Sequence, residues 1–271
     1  MPQHGLLRDA LGALPILAVL AAVYLLPPDT SLGEVRRAGT LHVCLPPLSP
    51  PFVTGDANAP GLDVEILRAV AGDLGLTLAV VAEPAMGRDF NPRGWHITRA
   101  ACEVLAGGVV ASPTTRSFLE TSPAYAETGW GLLRLQGTAA ATIGDLQGRT
   151  VGVFAPPSGL ERNPLSTLLR AAQTRVTIVA TAEALVAGLR EKRFEAGVTE
   201  KLNADRIASR EGFAVDWFPG GLPHYPVAFG LWKGDLTLKR AIVANLDRLE
   251  RNGNVAAIMS RYLGGDRTAG E

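Results

Sequence analysis

Short apolar runs alternate with segments of helical periodicity along the first half of the chain. The apolar runs cover residues 41–44, 76–81 and 103–110. Residues 62–74 repeat apolar positions at the spacing of one helix face, and Gly75 follows where a helix C-terminal glycine belongs. Because strands that alternate with helices are typical of βαβ units, this half is predicted to form a parallel sheet with a core helix.

A second series of the same kind occupies the middle of the chain. Apolar runs at residues 150–154, 175–180 and 196–199 predict strands, and residues 165–172 and 182–190 predict helices. The chain is therefore predicted to contain two similar halves of α/β character.

The last part of the chain, residues 237–263, is predicted to form one or two amphipathic helices. A break is expected at residues 252–254, where a glycine lies between two asparagines. The predicted apolar face consists of Leu238, Ile242, Leu246, Leu249, Val255, Ile258, Met259 and Leu263.

The N-terminal segment 10–26 is apolar and uncharged, with Arg8 before it and Arg36 and Arg37 after it. Its seventeen residues are at the lower limit for a helix that crosses a hydrocarbon core of about 30 Å, and Pro15 weakens that helix further. The segment is either a cleaved signal peptide or an uncleaved membrane anchor, and a buried helix is the third alternative. In the first two cases the rest of the chain functions outside the cytoplasm.

Composition and charge exclude several classes of protein. With 271 residues, of which 47% are hydrophobic, the chain is long enough for one or two domains with real cores, so disorder is excluded as its main state. Because 26 basic residues balance 26 acidic ones, no global field attracts nucleic acid, although a local basic patch stays open. The two cysteines and four histidines lack the spacing of metal ligands. No metal and no cofactor are expected.

Several short segments, in their order and spacing, carry a resemblance to a known family. They are residues 37–43, 50–52, 61–66, 103–108, 112–116, 122–125, 145–153 and 249–253. Together they resemble the type II periplasmic solute-binding proteins of ABC transporters, and in particular the amino-acid-binding group called solute-binding family 3. The resemblance extends over roughly residues 38–264.

The resemblance implies an α/β protein of two lobes with a ligand cleft between them. Each lobe would be a mainly parallel sheet flanked by helices, and two hinge strands would join the lobes. A ligand that contacts both lobes favours the closed form. The implied segments are 1–37 as signal peptide or anchor plus linker, 38–131 and 226–271 as lobe 1, 132–225 as lobe 2, and 130–135 and 227–232 as hinge strands.

The resemblance also implies a set of ligand-binding residues, which are Phe90, Gly107, Gly108, Val110, Arg116, Ser158, Gly159 and Glu200. Phe90 lies where the family places an aromatic ring against the ligand, and a buried core phenylalanine is the alternative. Gly107 and Gly108 match a stretch whose backbone approaches the ligand closely. Val110 replaces a typical serine or threonine of that stretch, so one side-chain hydrogen bond is lost.

Two charged residues are candidates for the ends of an amino-acid ligand. Arg116 is the candidate partner of a ligand carboxylate, but the family's arginine position holds Thr115, which leaves a solvated surface arginine as the alternative. Glu200 lies where the family has an acid that receives the ligand's ammonium group, and an acid at a helix N-terminus is the alternative.

A turn before a predicted helix contains Ser158 and Gly159. Its N–H groups would hold an anion or simply begin the helix, and Pro156 and Pro157 remove two of the donors that the family's turn provides. This turn is therefore predicted to offer the ligand fewer hydrogen-bond donors than is usual for the family.

The two cysteines, Cys44 and Cys102, would lie on neighbouring strands of the implied fold. A disulfide between them is expected, provided that the strand ends come within bridging distance. With residues 88–90 between them, the cysteines also look like a subgroup found beside periplasmic quinoprotein dehydrogenases such as methanol dehydrogenase.

Three functions follow from the resemblance. The first is an extracytoplasmic receptor that closes on a small polar ligand, an amino acid, and presents it to an ABC permease. The alternative is an accessory protein of a periplasmic quinoprotein dehydrogenase. A lyase similar to cyclohexadienyl dehydratase, with Glu200 or Glu120 as the acid, is the third, but no catalytic motif supports it, so the chain is not expected to be an enzyme. The expected location is the periplasm, with the chain either soluble after cleavage or tethered by residues 10–26.

Overall fold

The structure, a computed structural model, describes residues 29–87, 92–138, 142–155 and 160–264. The apolar segment 10–26 and three predicted site residues, Phe90, Ser158 and Gly159, lie outside the described residues. No helix of the described part is long and apolar enough to cross a membrane.

Twelve strands and eight helices form the described part. The strands are β1 Thr40–Leu45, β2 Thr77–Ala82, β3 Val104–Leu105, β4 Leu119–Thr121, β5 Ala126–Thr128, β6 Trp130–Arg134, β7 Thr150–Val153, β8 Arg175–Ile178, β9 Ala196–Glu200, β10 Ala214–Trp217, β11 Tyr225–Val227 and β12 Gly230–Trp232. The helices are α1 Ser31–Ala38, α2 Leu62–Asp73, α3 Pro113–Phe118, α4 Arg162–Ala171, α5 Ala182–Arg190, α6 Lys201–Glu211, α7 Leu236–Arg251 and α8 Asn254–Leu263. Short 3₁₀ turns cover Pro84–Gly87, Pro92–Trp95 and Gly144–Leu146.

The first sheet has the order β2-β1-β3-β12-β4. Strand β1 is parallel to β2 and β3, as the alternation of strands and helices predicts, while β12 is antiparallel to β3 and β4. Helix α2 buries Ile66, Leu67 and Val70 completely, which is why its apolar residues recur at helical spacing. Helices α7 and α8 complete this core.

The second sheet has the order β10-β6-β9-β7-β8. Strand β7 is parallel to β8 and β9, and β6 is antiparallel to β9 and β10. Cores lie on both faces of this sheet: Leu165 and Leu169 of α4 belong to one, and Leu185 and Leu189 of α5 belong to the other. A mainly parallel sheet covered on both faces explains why the central strands are continuous apolar runs.

Two short antiparallel strands, β5 and β11, form a separate pair between the sheets. The predicted hinge strands at 130–135 and 227–232 share only Val227 with this pair, and as hinges they stay a prediction. Residues 130–134 form β6, which pairs on both sides within the second sheet, and residues 230–232 form β12 of the first. The first sheet thus uses strands between residues 40 and 121 plus β12, and the second uses strands between residues 130 and 217. The lobe boundaries at 131/132 and 225/226 stay a prediction.

A disulfide joins Cys44 of β1 to Cys102, two residues before β3, with the Cα atoms 5.7 Å apart. The expected disulfide is therefore formed, because this Cα separation lies within the usual bridging range. The Glu103 amide donates to the carbonyl of His42 at 3.0 Å and so holds this segment in place.

Candidate functional site

Two fully buried carboxylates lie on either side of the strand β5. Asp63 is in the first turn of α2, and Glu200 is the last residue of β9. The hydroxyl of Tyr125, one residue before β5, donates to Asp63, and the hydroxyl of Thr128, the last residue of β5, donates to Glu200. Helix α2, which packs on the first sheet, and strand β9 of the second sheet therefore each hold one end of β5 through a buried acid. We call Asp63, Tyr125, Thr128 and Glu200 the crossing site.

Asp63 also determines the conformation of the Gly107–Gly108 loop. Its Oδ2 accepts the amide of Gly107 at 2.7 Å and that of Gly108 at 3.0 Å. Both glycines have positive φ, and a Cβ on Gly108 would lie 2.5 Å from the ring of Phe52. The two amides are thus already satisfied within the protein, and they are not free to bind a ligand carboxylate.

Burial determines the charge state of Asp63 and of its partner. Removal from water raises the pKa of Asp63 to about 6, although the hydrogen bonds from Tyr125, Gly108 and Gly107 favour the charged form. The pKa of Tyr125 is raised as well, by burial first and by the neighbouring carboxylate second. The ring of Tyr125 stacks on Phe229 with centroids 4.8 Å apart, which fixes the phenol in place.

Glu200 caps helix α6 at its N-terminus. Its Oε1 accepts the amide of Leu202 at 3.1 Å, and its Oε2 accepts the amide of Asn203 at 2.7 Å. Burial raises the pKa of Glu200 to about 7, against the lowering effect of the bonds from Thr128, Asn203 and Leu202. Glu200 therefore lies as the alternative from the sequence predicted, as an acid at the N-terminus of a helix. A carboxylate can accept about four hydrogen bonds, two at each oxygen. The bonds from Thr128, Leu202 and Asn203 use three of these positions, so one acceptor position on Oε2 remains.

Arg116 lies on the exposed side of α3, and its guanidinium has no hydrogen bond or ion pair with any described residue. Thr115, at the family's arginine position, is buried, and its amide donates to the capping Ser112 hydroxyl at 3.1 Å. A one-residue shift on a helix is a rotation of about 100°, which separates a buried position from an exposed one. Arg116 is therefore accessible and has no partner among the residues that the structure describes.

Val110 belongs to the packing beside β11. It is 1% exposed and forms an antiparallel bridge with Val227. The flanking amides of Ala111 and Ala228 donate to Pro226 and Val109, each at 2.9 Å. An apolar residue here extends the pairing of β5 and β11 into the first sheet and offers no side-chain donor to a ligand.

Sequence reasoning missed Asp63, Tyr125 and Thr128. Asp63 and Tyr125 fall within segments that carried the family resemblance, yet they were noted only as part of the pattern. The available signal was an acid directly between Leu62 and Val64 at a helix start, because a carboxylate there is buried only if donors surround it. Thr128 offered no comparable signal in the sequence.

The sequence profile of the bacterial extracellular solute-binding proteins, family 3, matches residues 41–265. The chain belongs to this family. Both the resemblance and the function as an extracellular solute-binding protein are thereby confirmed. The comparison with curated proteins yields no match.

Solved structures agree with the family on the fold. The ancestral cationic amino acid solute-binding protein AncCDT-1 superposes with a TM-score of 0.72 at 19% identity, over 86% of this chain and 99% of that one. A second structure of AncCDT-1, with a TM-score of 0.63, is described as a precursor of cyclohexadienyl dehydratase. The L-cystine receptor of Neisseria gonorrhoeae, in an unliganded open conformation, superposes with a TM-score of 0.68 at 17% identity. This match covers 88% of this chain and 98% of that one. A histidine-bound substrate-binding protein of an ABC uptake transporter from Streptococcus pneumoniae superposes with a TM-score of 0.65 at 18% identity. This match covers 88% of this chain and 97% of that one.

These likenesses confirm the predicted two-lobed α/β fold of periplasmic-binding-protein type II. Nothing in them supports an accessory role beside a quinoprotein dehydrogenase. The family consists mainly of binding proteins, in agreement with the expectation that this chain is not an enzyme.

Proposed function

We propose that this solute-binding protein takes an amino acid as its ligand and presents it to an ABC permease. The observation that carries the proposal is the crossing site, in which helix α2 beside the first sheet and strand β9 of the second sheet anchor the same strand by one buried carboxylate each. Such an arrangement leaves the sheets free to rotate about β5 and β11 while the anchors persist. The amino-acid ligands of the structural relatives support the choice of ligand class.

The predicted ligand residues stay part of this proposal. Arg116 supplies an unpaired guanidinium for a carboxylate, and Glu200 keeps one acceptor position for an ammonium group. Phe90, Ser158 and Gly159 complete the set from the resemblance alone. Because the amides of Gly107 and Gly108 are bound to Asp63 and Val110 has no hydroxyl, fewer polar groups are available to the ligand than the family pattern would provide.

A thermal-shift panel of amino acids and small organic acids tests the proposal. Binding to the folded state raises the melting temperature through RT ln(1 + [L]/Kd), so at least one amino acid is expected to stabilise the protein. Loss of a charge-assisted bond in Arg116→Ala is expected to weaken that ligand by roughly tenfold or more. The melting temperature without ligand should not change, because Arg116 has no described partner.

The matched control is Arg240→Ala, since Arg240 is an exposed arginine on α7. This variant should keep both the stability and the ligand response of the parent. If no amino acid raises the melting temperature of the parent, the ligand class is wrong. Equal affinity in Arg116→Ala and the parent would remove Arg116 from the site.

We also propose that residues 10–26 export or tether the protein, so that it acts in the periplasm. The family is extracellular, which supports a function outside the cytoplasm. The intact mass of the exported protein distinguishes the two forms, because cleavage removes the apolar segment and an anchor retains it.

An enzymatic role has less support from the candidate acids. The carboxylate of Glu120 accepts a hydrogen bond from the Nζ atom of Lys239 at 2.7 Å. This hydrogen bond holds the pKa of Glu120 below its usual range. Such a group is an anion at neutral pH and a poor general acid. Glu200 is engaged in capping α6. We therefore propose binding without turnover.

A further inference from the structure

The edge strand β8 of the second sheet is exposed along its whole length. Among the described strands it pairs only with β7, and each of its four residues is solvent-exposed. Arg175 and Val179 direct their amides inward, to the carbonyls of Arg149 and Val153 at 2.8 and 3.0 Å. Because backbone groups alternate along a strand, the N–H and C=O groups of Val176 and Ile178 point away from the sheet. This edge can pair with one more strand.

A groove of about 550 Å³ lies beside this edge, between β8 and helix α4. Apolar side chains form much of its wall, among them Trp130, Val153, Leu165, Leu169, Val176 and Ile178. Ile178 is 81% exposed and Val176 is 45% exposed, although α4 and α5 cover the rest of the sheet. Adjacent apolar surface and unpaired backbone groups are the two features that strand-addition sites combine.

The charges around the groove indicate what kind of segment fits it. Among the described lining residues the charged side chains are Arg162 and Arg170, and none is acidic. They lie eight residues apart on α4, which is about 12 Å along the helix axis. An extended segment spans a similar distance, about 13 Å, in four residues. Each end of a short docked strand would therefore lie near one arginine.

We propose that β8 and the adjoining groove dock an extended segment of a partner protein by strand addition. The segment carries one apolar residue that enters the groove and an acidic residue two positions away on either side of it, because side chains at alternate positions of a strand lie on the same face. A second copy of this chain fits less well, since pairing β8 with itself would bring like-charged arginines together.

A fluorescein-labelled peptide of the sequence Gly-Ser-Glu-Thr-Val-Thr-Glu-Ser-Gly is the probe. Binding to the full chain is measured by fluorescence anisotropy, and hydrogen exchange locates the contact. We expect saturable binding, with protection of the Val176 and Ile178 amides. The variant Ile178→Thr and the double variant Arg162→Gln/Arg170→Gln are each expected to weaken binding by roughly tenfold.

The control variant is Leu236→Thr, because Leu236 is an exposed apolar residue, 49% accessible, on α7 in the other half of the fold. It should bind as the parent does. A control peptide, Gly-Ser-Glu-Val-Thr-Thr-Glu-Ser-Gly, places the valine on the opposite face and should bind weakly to the parent and to all variants. Absence of binding to the parent, or equal affinity in Ile178→Thr, would overturn the proposal. So would sedimentation showing a dimer of the parent that Ile178→Thr dissociates, since a second copy would then occupy the edge.

Discussion

At the scale of single residues, the buried acids are the most informative feature of this protein. Asp63 and Glu200 each have three hydrogen-bond donors, and neither forms an ion pair with a described cation. Donors alone compensate only part of the loss of hydration, which is why burial remains the dominant effect on both pKa values. The two residues make the protein's stability sensitive to pH near neutrality.

Stability is expected to increase as the pH falls from about 8 to about 6. The pKa of Glu200 is about 7 in the folded protein, against 4.5 for an unperturbed side chain, so the folded state binds the proton more tightly. Its stabilising contribution is complete below the unfolded pKa and is lost as the pH rises through the folded one. Urea unfolding at several pH values measures this effect. The free energy of unfolding should change less steeply with pH in Glu200→Gln than in the parent.

The control for this measurement is Glu120→Gln. The pKa of Glu120 is lowered, so this group is ionised in both states above about pH 6 and should leave the slope unchanged. A parent protein whose stability is flat or rises between pH 6 and 8 would contradict the assignment of Glu200 as a group with a raised pKa.

Gly108→Ala is expected to destabilise the protein by more than Gly148→Ala does. Both glycines have positive φ, +83° and +68°, so both variants incur the penalty of about 1–2 kcal/mol for a left-handed residue. A Cβ at Gly148 meets nothing within 4 Å, whereas one at Gly108 overlaps Phe52. The overlap should add about 1–3 kcal/mol, measured by urea unfolding. Equal losses in the two variants would show that Phe52 moves aside freely.

At the scale of elements, the strands and helices with a regular pattern were predictable, and the antiparallel strands were not. The alternation of apolar runs identified β1, β7 and β9, and the glycine at 253 marked the break between α7 and α8. The antiparallel strand β6 is a continuous buried run, which sequence alone cannot distinguish from a hinge or from a parallel strand. Its place depends on pairing with β9 and β10, which lie far away in sequence.

The candidate site was predictable only in part, for a related reason. Glu200 was recognised because a strand ends in an acid, but its role as the α6 cap depends on local backbone geometry. Arg116 and Thr115 are neighbours in sequence, and only the start of α3 decides which of the two is buried. Side-chain roles at helix starts thus depend on rotations that composition does not encode.

The disulfide between Cys44 and Cys102 is expected to contribute about 4 kcal/mol to stability through the loop it closes between residues 58 positions apart. The double variant Cys44→Ala/Cys102→Ala should therefore unfold at a much lower urea concentration than the oxidised parent. A thiol assay on unfolded, unreduced parent should detect no free thiol. Two reactive thiols in the exported protein would show that the bridge does not form.

At the scale of the whole molecule, the two sheets are connected through β5 and β11 and through a contact between α6 and α8. The helix contact joins the C-terminal helix, which packs on the first sheet, to the helix that Glu200 begins. If the sheets move relative to one another, as we propose, we expect this contact to persist while the opposite end opens and closes.

An amino acid that raises the melting temperature is expected also to reduce the radius of gyration in small-angle X-ray scattering. A ligand that contacts both sheets binds the closed arrangement more tightly and increases its population. At the same ligand concentration, the radius of gyration of the Arg116→Ala variant should remain closer to that of the unliganded protein. An unchanged radius in saturated parent protein would mean that binding does not close the molecule.

The position of Thr128 has a practical consequence for the design of chimeric receptors. A graft that begins at β6 would transfer Glu200 into a foreign host but leave its hydroxyl partner behind, and the transplanted acid would then face whatever the host has at the end of β5. Splice points placed between Tyr125 and Ala126 and after Val227 would instead keep Tyr125 with Asp63 and Thr128 with Glu200, and recombinants built this way should retain folding that other exchanges lose.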